Sequence, residues 1–94
     1  MNWDDMRIFL SVAREESLTG AAKALRLDPA TVGRRIARLE RDMSTVLFVK
    51  SPQGYIATEA GTRLLAHATA AEAAMSGAVT ETRGAKEELT GTIR

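Results

Sequence analysis

Residues 28–41, DPATVGRRIARLER, constrain the chain more than any other stretch. Asp28 can accept hydrogen bonds from the free N–H groups of a first helical turn, and Pro29 takes the first helical position, where its missing N–H costs nothing. Val32, Ile36 and Leu39 then recur at the spacing of one helical face, and Met43 extends the row. At ~100° per residue, Arg34, Arg38 and Arg41 fall opposite that row, with Ala30 and Thr31 beside them at the N-terminal end. Such a helix is held by its apolar side and shows small residues and an arginine stripe to solvent. A DNA major groove accepts an object of that kind: small residues let the helix enter, and guanidiniums fork onto guanine edges or phosphates. An amphipathic surface helix whose arginines only keep it soluble has the same pattern. The neighbouring segments decide between the two.

Asn2 can cap a first helix, with Asp5 three residues on as a short form of the capping box. Met6, Phe9, Val12 and Ala13 form its apolar stripe, Trp3 or Leu10 flanks it, and Glu15 and Glu16 end it. Ser17 caps a second, shorter helix, LTGAAKALRL, in which Leu18, Ala21, Ala22 and Leu25 are the expected buried positions and Leu27 packs just beyond the end. Ala22 is small where two helices of a tight corner approach closely. Gly20 is awkward early in a helix, costing up to about 1 kcal/mol against alanine. Only Arg26, Leu27 and Asp28 are left to join this helix to the arginine-faced one. Two short helices joined by so short a turn, the second with a polar face, match a helix-turn-helix unit.

Past Met43 the period changes. Val46, Leu47, Phe48 and Val49 make a β-branched and aromatic run, Ser51, Pro52, Gln53 and Gly54 are turn residues, and Tyr55 and Ile56 supply a return strand. The pattern predicts a small hairpin, or wing, with Lys50, Ser51 and Gln53 at or near its tip. Two strands alone are marginal in water, so Leu47, Phe48 and Ile56 are expected to pack on the helical core. Thr58 caps a long last helix that nothing stops before Gly84 and that can run to Leu89, about thirty residues or ~45 Å. Leu64 or Leu65, Ala68, Ala71, Met75, Ala78 and Val79 alternate by three and four along it, as a helix–helix seam does. So long a stripe exceeds what a small core can cover, which predicts pairing with a second copy. His67 stands alone, without partners at metal-ligand spacing, so no metal site is expected.

The overall charge of +1 hides an asymmetry. Residues 17–58 carry seven Lys and Arg against three Asp and Glu, whereas the remainder carries six against nine. A basic middle between acidic flanks is a footprint for a polyanion. There is no cysteine, which excludes a disulfide framework and a thiolate metal site and is compatible with a cytoplasmic location. No apolar run approaches the ~20 residues of a membrane span, so no membrane partner is expected.

The order helix, helix-turn-helix, wing, long helix resembles the DNA-binding region of the LysR-type bacterial transcriptional regulators. The resemblance runs through essentially the whole chain. It is carried by Met6 and Phe9; by Ser17, Leu18, Thr19, Ala21, Ala22 and Leu25; by Val32, Arg34, Ile36, Leu39 and Glu40; and by Leu47, Phe48, Lys50, Thr58, Glu59, Ala60 and Gly61. There are departures. Pro29 stands where the family usually has glutamine or serine, Gly33 where it favours serine, and Arg35 where glutamine is frequent. The wing, with Gln53, Gly54 and Ile56, is poorer in arginine than in many members. Members are considerably longer chains with a C-terminal effector-binding domain.

The resemblance implies a mainly α winged helix-turn-helix domain over residues 1–57 (a three-helix core plus a two-stranded wing) and a linker and dimerisation helix over 58–89. Residues 90–94 would begin the effector-binding domain, with Gly91, Thr92, Ile93 and Arg94 resembling the start of its first strand, and a small-molecule effector would act through that domain alone. The implied partners are double-stranded DNA and a second copy of the chain, on an interrupted dyad with segment 29–42 in the major groove. No cofactor is implied. The expected contacts are Arg34 on a base edge, most simply guanine, with Ala30 and Thr31 near bases or a thymine methyl and Pro29 and Gly33 alongside. Thr19, Arg35, Arg38, Lys50, Ser51 and Gln53 would lie along the phosphates. The rival reading is a winged-helix protein-interaction module whose arginine face docks an acidic partner. Catalysis is not expected: the one histidine lies on the long helix without a Gly-rich phosphate loop or carboxylate cluster.

Overall fold

A computed structural model describes residues 2–93, with side-chain surroundings defined for residues 2–84. The order is α1 (Trp3–Glu15), α2 (Leu18–Leu25), α3 (Pro29–Met43), β1 (Phe48–Ser51), β2 (Gly54–Ala57) and α4 (Glu59–Ile93). Each helix begins where the sequence supplies a cap. Asn2 Oδ1 accepts from the Asp5 N–H at 2.9 Å, Ser17 Oγ from Gly20 at 3.0 Å, and Thr58 Oγ1 from Gly61 at 3.0 Å. Asp28 Oδ2 takes both Ala30 and Thr31, at 3.1 and 3.3 Å. Such caps contribute roughly 1 kcal/mol each. The first three helices end on residues in the left-handed region, Glu16, Arg26 and Ser44, none of them glycine.

The core lies where α1 meets all of its neighbours. Ile8, Phe9, Leu10 and Val12 are buried with Ala21 and Ala22 of α2, Val32, Ile36 and Leu39 of α3, Leu47 and Phe48 at the wing, and Ala68 of α4. Phe48 stacks between Phe9 and Tyr55, with ring centroids 5.3 and 5.6 Å away. Burial on α1 is wider than the expected stripe: Ile8 is wholly covered, while Trp3 is 44% exposed. The reason is that α2, α3, α4 and β2 all pack on this one helix.

The wing is a two-stranded antiparallel hairpin pairing Phe48 with Ala57, Val49 with Ile56, Lys50 with Tyr55 and Ser51 with Gly54. That register puts Phe48, Tyr55 and Ala57 on the core side and Val49 and Ile56 on the other, because successive side chains alternate across a strand. The expectation that Ile56 packs on the core is therefore corrected, and Tyr55 takes that place. Val46, 63% exposed, precedes the strand, its carbonyl accepting from Thr58 Oγ1 at 2.7 Å.

Helix α4 runs on through residues 91–93, so these continue a helix where a first strand was expected. A strand needs a partner for its N–H and C=O groups, whereas a helix satisfies them locally. Arg94, the last of that expected segment, lies outside the described residues. A second correction concerns the seam. Ala68, 3% exposed, is buried in the core of its own chain and is taken out of the expected dimer interface, while Leu64 and Leu65 pack against that core and stay half-buried. The first turns of α4 lie across the domain, with Gly61 pressed against the Leu47 carbonyl.

Two glycines test these contacts in opposite directions. A Cβ on Gly61 would stand 2.2 Å from the Leu47 carbonyl oxygen, so Gly61→Ala should lower unfolding free energy by about 2 kcal/mol or more. A Cβ on Gly33 would meet only Leu18 Cδ1, at 3.5 Å, so Gly33→Ala should raise it by roughly 0.5–1 kcal/mol through helix propensity. Urea denaturation followed by circular dichroism reads both.

Candidate nucleic-acid interface

The turn between α2 and α3 is tight because Arg26 takes φ 58°, letting the Leu27 N–H return to the Ala22 carbonyl at 2.9 Å. That turn projects the start of α3. Pro29, Ala30 and Arg34 are exposed and Thr31 is half-buried. Arg34 Nη2 donates to Thr31 Oγ1 at 3.1 Å, which draws the guanidinium back along the outer face of the helix. A Cβ on Gly33 would point toward Leu18 of α2, at ordinary contact distance, so this position faces α2 and not the outer face of the helix.

Arg38, expected in the free stripe, and Arg35, expected along the phosphates, are both held by acidic side chains. Asp5, in the first turn of α1, is only 2% exposed, and its Oδ1 accepts from Arg35 Nε at 3.3 Å, Arg35 Nη2 at 3.1 Å and Arg38 Nη2 at 2.9 Å. Asp4 Oδ2 takes Arg35 Nη2 as well, at 2.6 Å. Arg35 is thus a strut between α1 and α3, its side chain 26% exposed, whereas Arg38 commits only Nη2 and stays 46% exposed. From the sequence Asp5 reads only as part of a capping box with Asn2. The α3 partners of Asp4 and Asp5 lie some thirty residues away, where no local pattern reaches.

Burial alone pushes the Asp5 carboxyl up, but the hydrogen bonds from Arg38 and Arg35 outweigh it and hold the group below the ordinary carboxylate value. Asp4 is lowered by its hydrogen bonds from Arg7 and Arg35. Arg35 is raised in turn by those to Asp4 and Asp5.

The wing comes beside α2. The Tyr55 N–H donates to the Glu16 carbonyl at 2.9 Å, and a Cβ on Gly54 would stand 2.3 Å from that same oxygen. Gly54, at φ 129°, is therefore required both by its turn and by this approach. Exposed Thr19 of α2 and exposed Lys50 of the wing consequently line one open cleft of about 360 Å³ with Ser17, Ser51 and Tyr55. Ser51 is occupied within the turn, donating to the Gly54 carbonyl at 3.3 Å and accepting from the Gln53 N–H at 3.2 Å, while Gln53 is exposed. No local pattern along the chain shows that Thr19 and Lys50 meet.

On the far side, Arg14 forks onto Glu72 of α4 at 2.6 and 3.1 Å. Next to it Ala71, and beyond it Met75, Ala78 and Val79, are exposed. Among the described residues no three His, Cys, Asp or Glu cluster as metal ligands would, and no helix is long and apolar enough to cross a membrane.

Residues 3–62, from the first turn of α1 into α4, match the family described as bacterial regulatory helix-turn-helix protein, lysR family. The chain belongs to the LysR family. It is 35% identical over 88 residues to the HTH-type transcriptional regulator BudR of Klebsiella aerogenes, covering 94% of this chain and 62% of that one. It is 46% identical over 48 residues to the Mau operon transcriptional activator of Paracoccus denitrificans, covering 51% of this chain but 17% of the relative. The chain therefore spans less than two thirds of these curated relatives. Among solved structures, the CbnR DNA-binding domain in complex with DNA superposes with a TM-score of 0.81 at 27% identity, over 90% of this chain and 98% of that one. Full-length LysG from Corynebacterium glutamicum with bound effector Arg gives 0.82 at 30% identity, over 89% of this chain and 29% of that one. The fold is the family's winged helix-turn-helix.

A carboxyl whose pKa falls on folding contributes stability above its unfolded value, about pH 4, and that contribution is lost as pH drops through the folded value. Asp5→Asn should therefore cost roughly 1.5–3 kcal/mol at pH 7, in line with charge-assisted hydrogen bonds. The gap between the melting temperatures of the two proteins should close as pH falls below about 4. Thermal melts across a pH series check this, and a gap independent of pH would dissociate Asp5 from the arginines.

Proposed function

We infer that this chain is the DNA-binding part of a LysR-type transcription regulator, and that it binds double-stranded DNA sequence-specifically with α3 in the major groove. The observation that carries the reading is the exposed N-terminal end of α3, where small residues surround one outward arginine that no acidic group holds among the described residues. In this reading Arg34 forks onto a guanine edge, and Ala30 and Thr31 lie against neighbouring bases or a thymine methyl. Pro29 offers no donor, so it packs instead of reading. Thr19 and Lys50, brought to one cleft, take phosphates on one side of the helix, and the uncommitted nitrogens of Arg38 take one on the other. Gln53 at the wing tip lies alongside. Arg35 holds α3 against α1, and Ser51 shapes the turn.

Support comes from the family and from relatives named as transcriptional regulators, with a solved relative that is itself a DNA complex. The chain acts as a homodimer on an interrupted dyad, a second copy covering Ala71, Met75, Ala78 and Val79 of α4; Met75 is 55% and Val79 46% exposed. A small-molecule effector would act through a domain outside this chain. The work is binding, not catalysis, and it is done in the cytoplasm.

Duplexes selected from a random pool supply the site, and fluorescence anisotropy across a salt series measures binding. Arg34→Ala should cut discrimination between selected and scrambled DNA by about ten- to a hundred-fold. Arg38→Ala should weaken both alike and reduce the salt slope by about one. Equal weakening of both duplexes by Arg34→Ala would remove the base-reading role. Indifference of the exposed face to competing genomic DNA would favour an acidic protein partner.

A further inference from the structure

We propose that Asp5 is a positioning residue of the DNA-contacting surface: it pins Arg38 so that the rest of its guanidinium is aimed, before binding, at a phosphate beside the groove. The proposal rests on the DNA-binding reading above and deepens it.

The geometry makes Asp5 unlike the other acidic residues. Its carboxylate is buried, at 2% exposure, yet every bond it makes to α3 goes to guanidinium N–H groups. Its backbone N–H is held by Asn2 Oδ1 at 2.9 Å, so the carboxylate sits on a fixed helical turn. Arg35 spends Nε and Nη2 on the acidic pair and is the mechanical tie. Arg38 differs: one contact of 2.9 Å through Nη2 fixes the plane of a guanidinium that remains 46% exposed. Arg38 lies one helical turn beyond Arg34 on nearly the same face. When the N-terminal end of α3 enters a groove, that next turn stands over the strand backbone. A flexible arginine would lose its rotamer freedom on meeting a phosphate, and an arginine already held loses little.

A second effect opposes this one. Asp5 is itself negative and repels phosphate, so neutralising it would tighten binding. That repulsion acts whether or not Arg38 is present, so it survives in a protein lacking the Arg38 side chain. Freeing a long side chain that must be re-ordered costs about three- to ten-fold, and this effect disappears with Arg38. The double variant therefore separates the two.

The test compares the unmodified protein, Asp5→Asn, Arg38→Ala and the double variant on the selected duplex and a scrambled one, by anisotropy across a salt series. Asp5→Asn should weaken both duplexes by about three- to ten-fold. The double variant should match Arg38→Ala, since Asp5 acts through that side chain. Tighter or unchanged binding by Asp5→Asn, or additive losses in the double variant, overturns the proposal. Failure of the unmodified protein to bind any duplex removes the DNA reading itself and the proposal with it. Should Asp5→Asn not fold, guanidinium NMR of the unmodified protein decides. Separate Nη–H signals of Arg38 in the free protein that persist on DNA support the pinning, and signals already averaged, or averaged once DNA is added, overturn it.

Discussion

Helix α1 has to be covered on several sides at once, and the rest of the domain is the means of covering it. Ile8, Phe9, Leu10 and Val12 are all buried within thirteen residues, too many for one face of a helix. At about 1.5–3 kcal/mol per large apolar side chain, their burial outweighs the surface ion pairs, worth roughly 0–1 kcal/mol each. So α2 closes one side through the small Ala21 and Ala22, α3 another through Val32, Ile36 and Leu39, and Leu47 and Phe48 with α4 the remainder. Both ends of α1 also carry polar ties: Asp5 to the arginines of α3, and the Glu16 carbonyl to Tyr55 of the wing.

That arrangement sorts the positive charge of α3. The apolar row faces α1, and the residues on the border between faces come within reach of the acidic first turn. Arg35 is drawn in, Arg38 is held by one nitrogen, and Arg34 has only Thr31 as a partner among the described residues. Three arginines of one helix thus come to have different freedom. The same packing brings Thr19 and Lys50 to one cleft, although they belong to different elements.

Helix α4 serves two surfaces in succession. Its first turns complete the core, with Gly61 against the Leu47 carbonyl and Ala68 buried, and the Arg14–Glu72 fork ties the next turn to α1. Past it the apolar residues Met75 and Val79 face outward. A seam read from sequence as one continuous stripe is therefore divided, its first part spent on the chain's own core.

Much of the fold was legible along the chain because its signals act over a few residues. Asn2, Ser17, Asp28 and Thr58 cap the helices they precede, since a cap is completed within three positions. Val32, Ile36 and Leu39 show their buried face by spacing, and Gly54 marks the wing's turn. The exposed end of α3, with Pro29, Ala30 and Arg34, was equally readable. What only the tertiary structure decided was which side chains meet across long separations. It placed Asp5 under Arg35 and Arg38, turned Tyr55 inward and Ile56 outward, and covered Ala68 with its own core. The reason is physical: an ion pair between α1 and α3, the facing of a hairpin and the reach of a core all depend on how elements pack, and no local spacing encodes that.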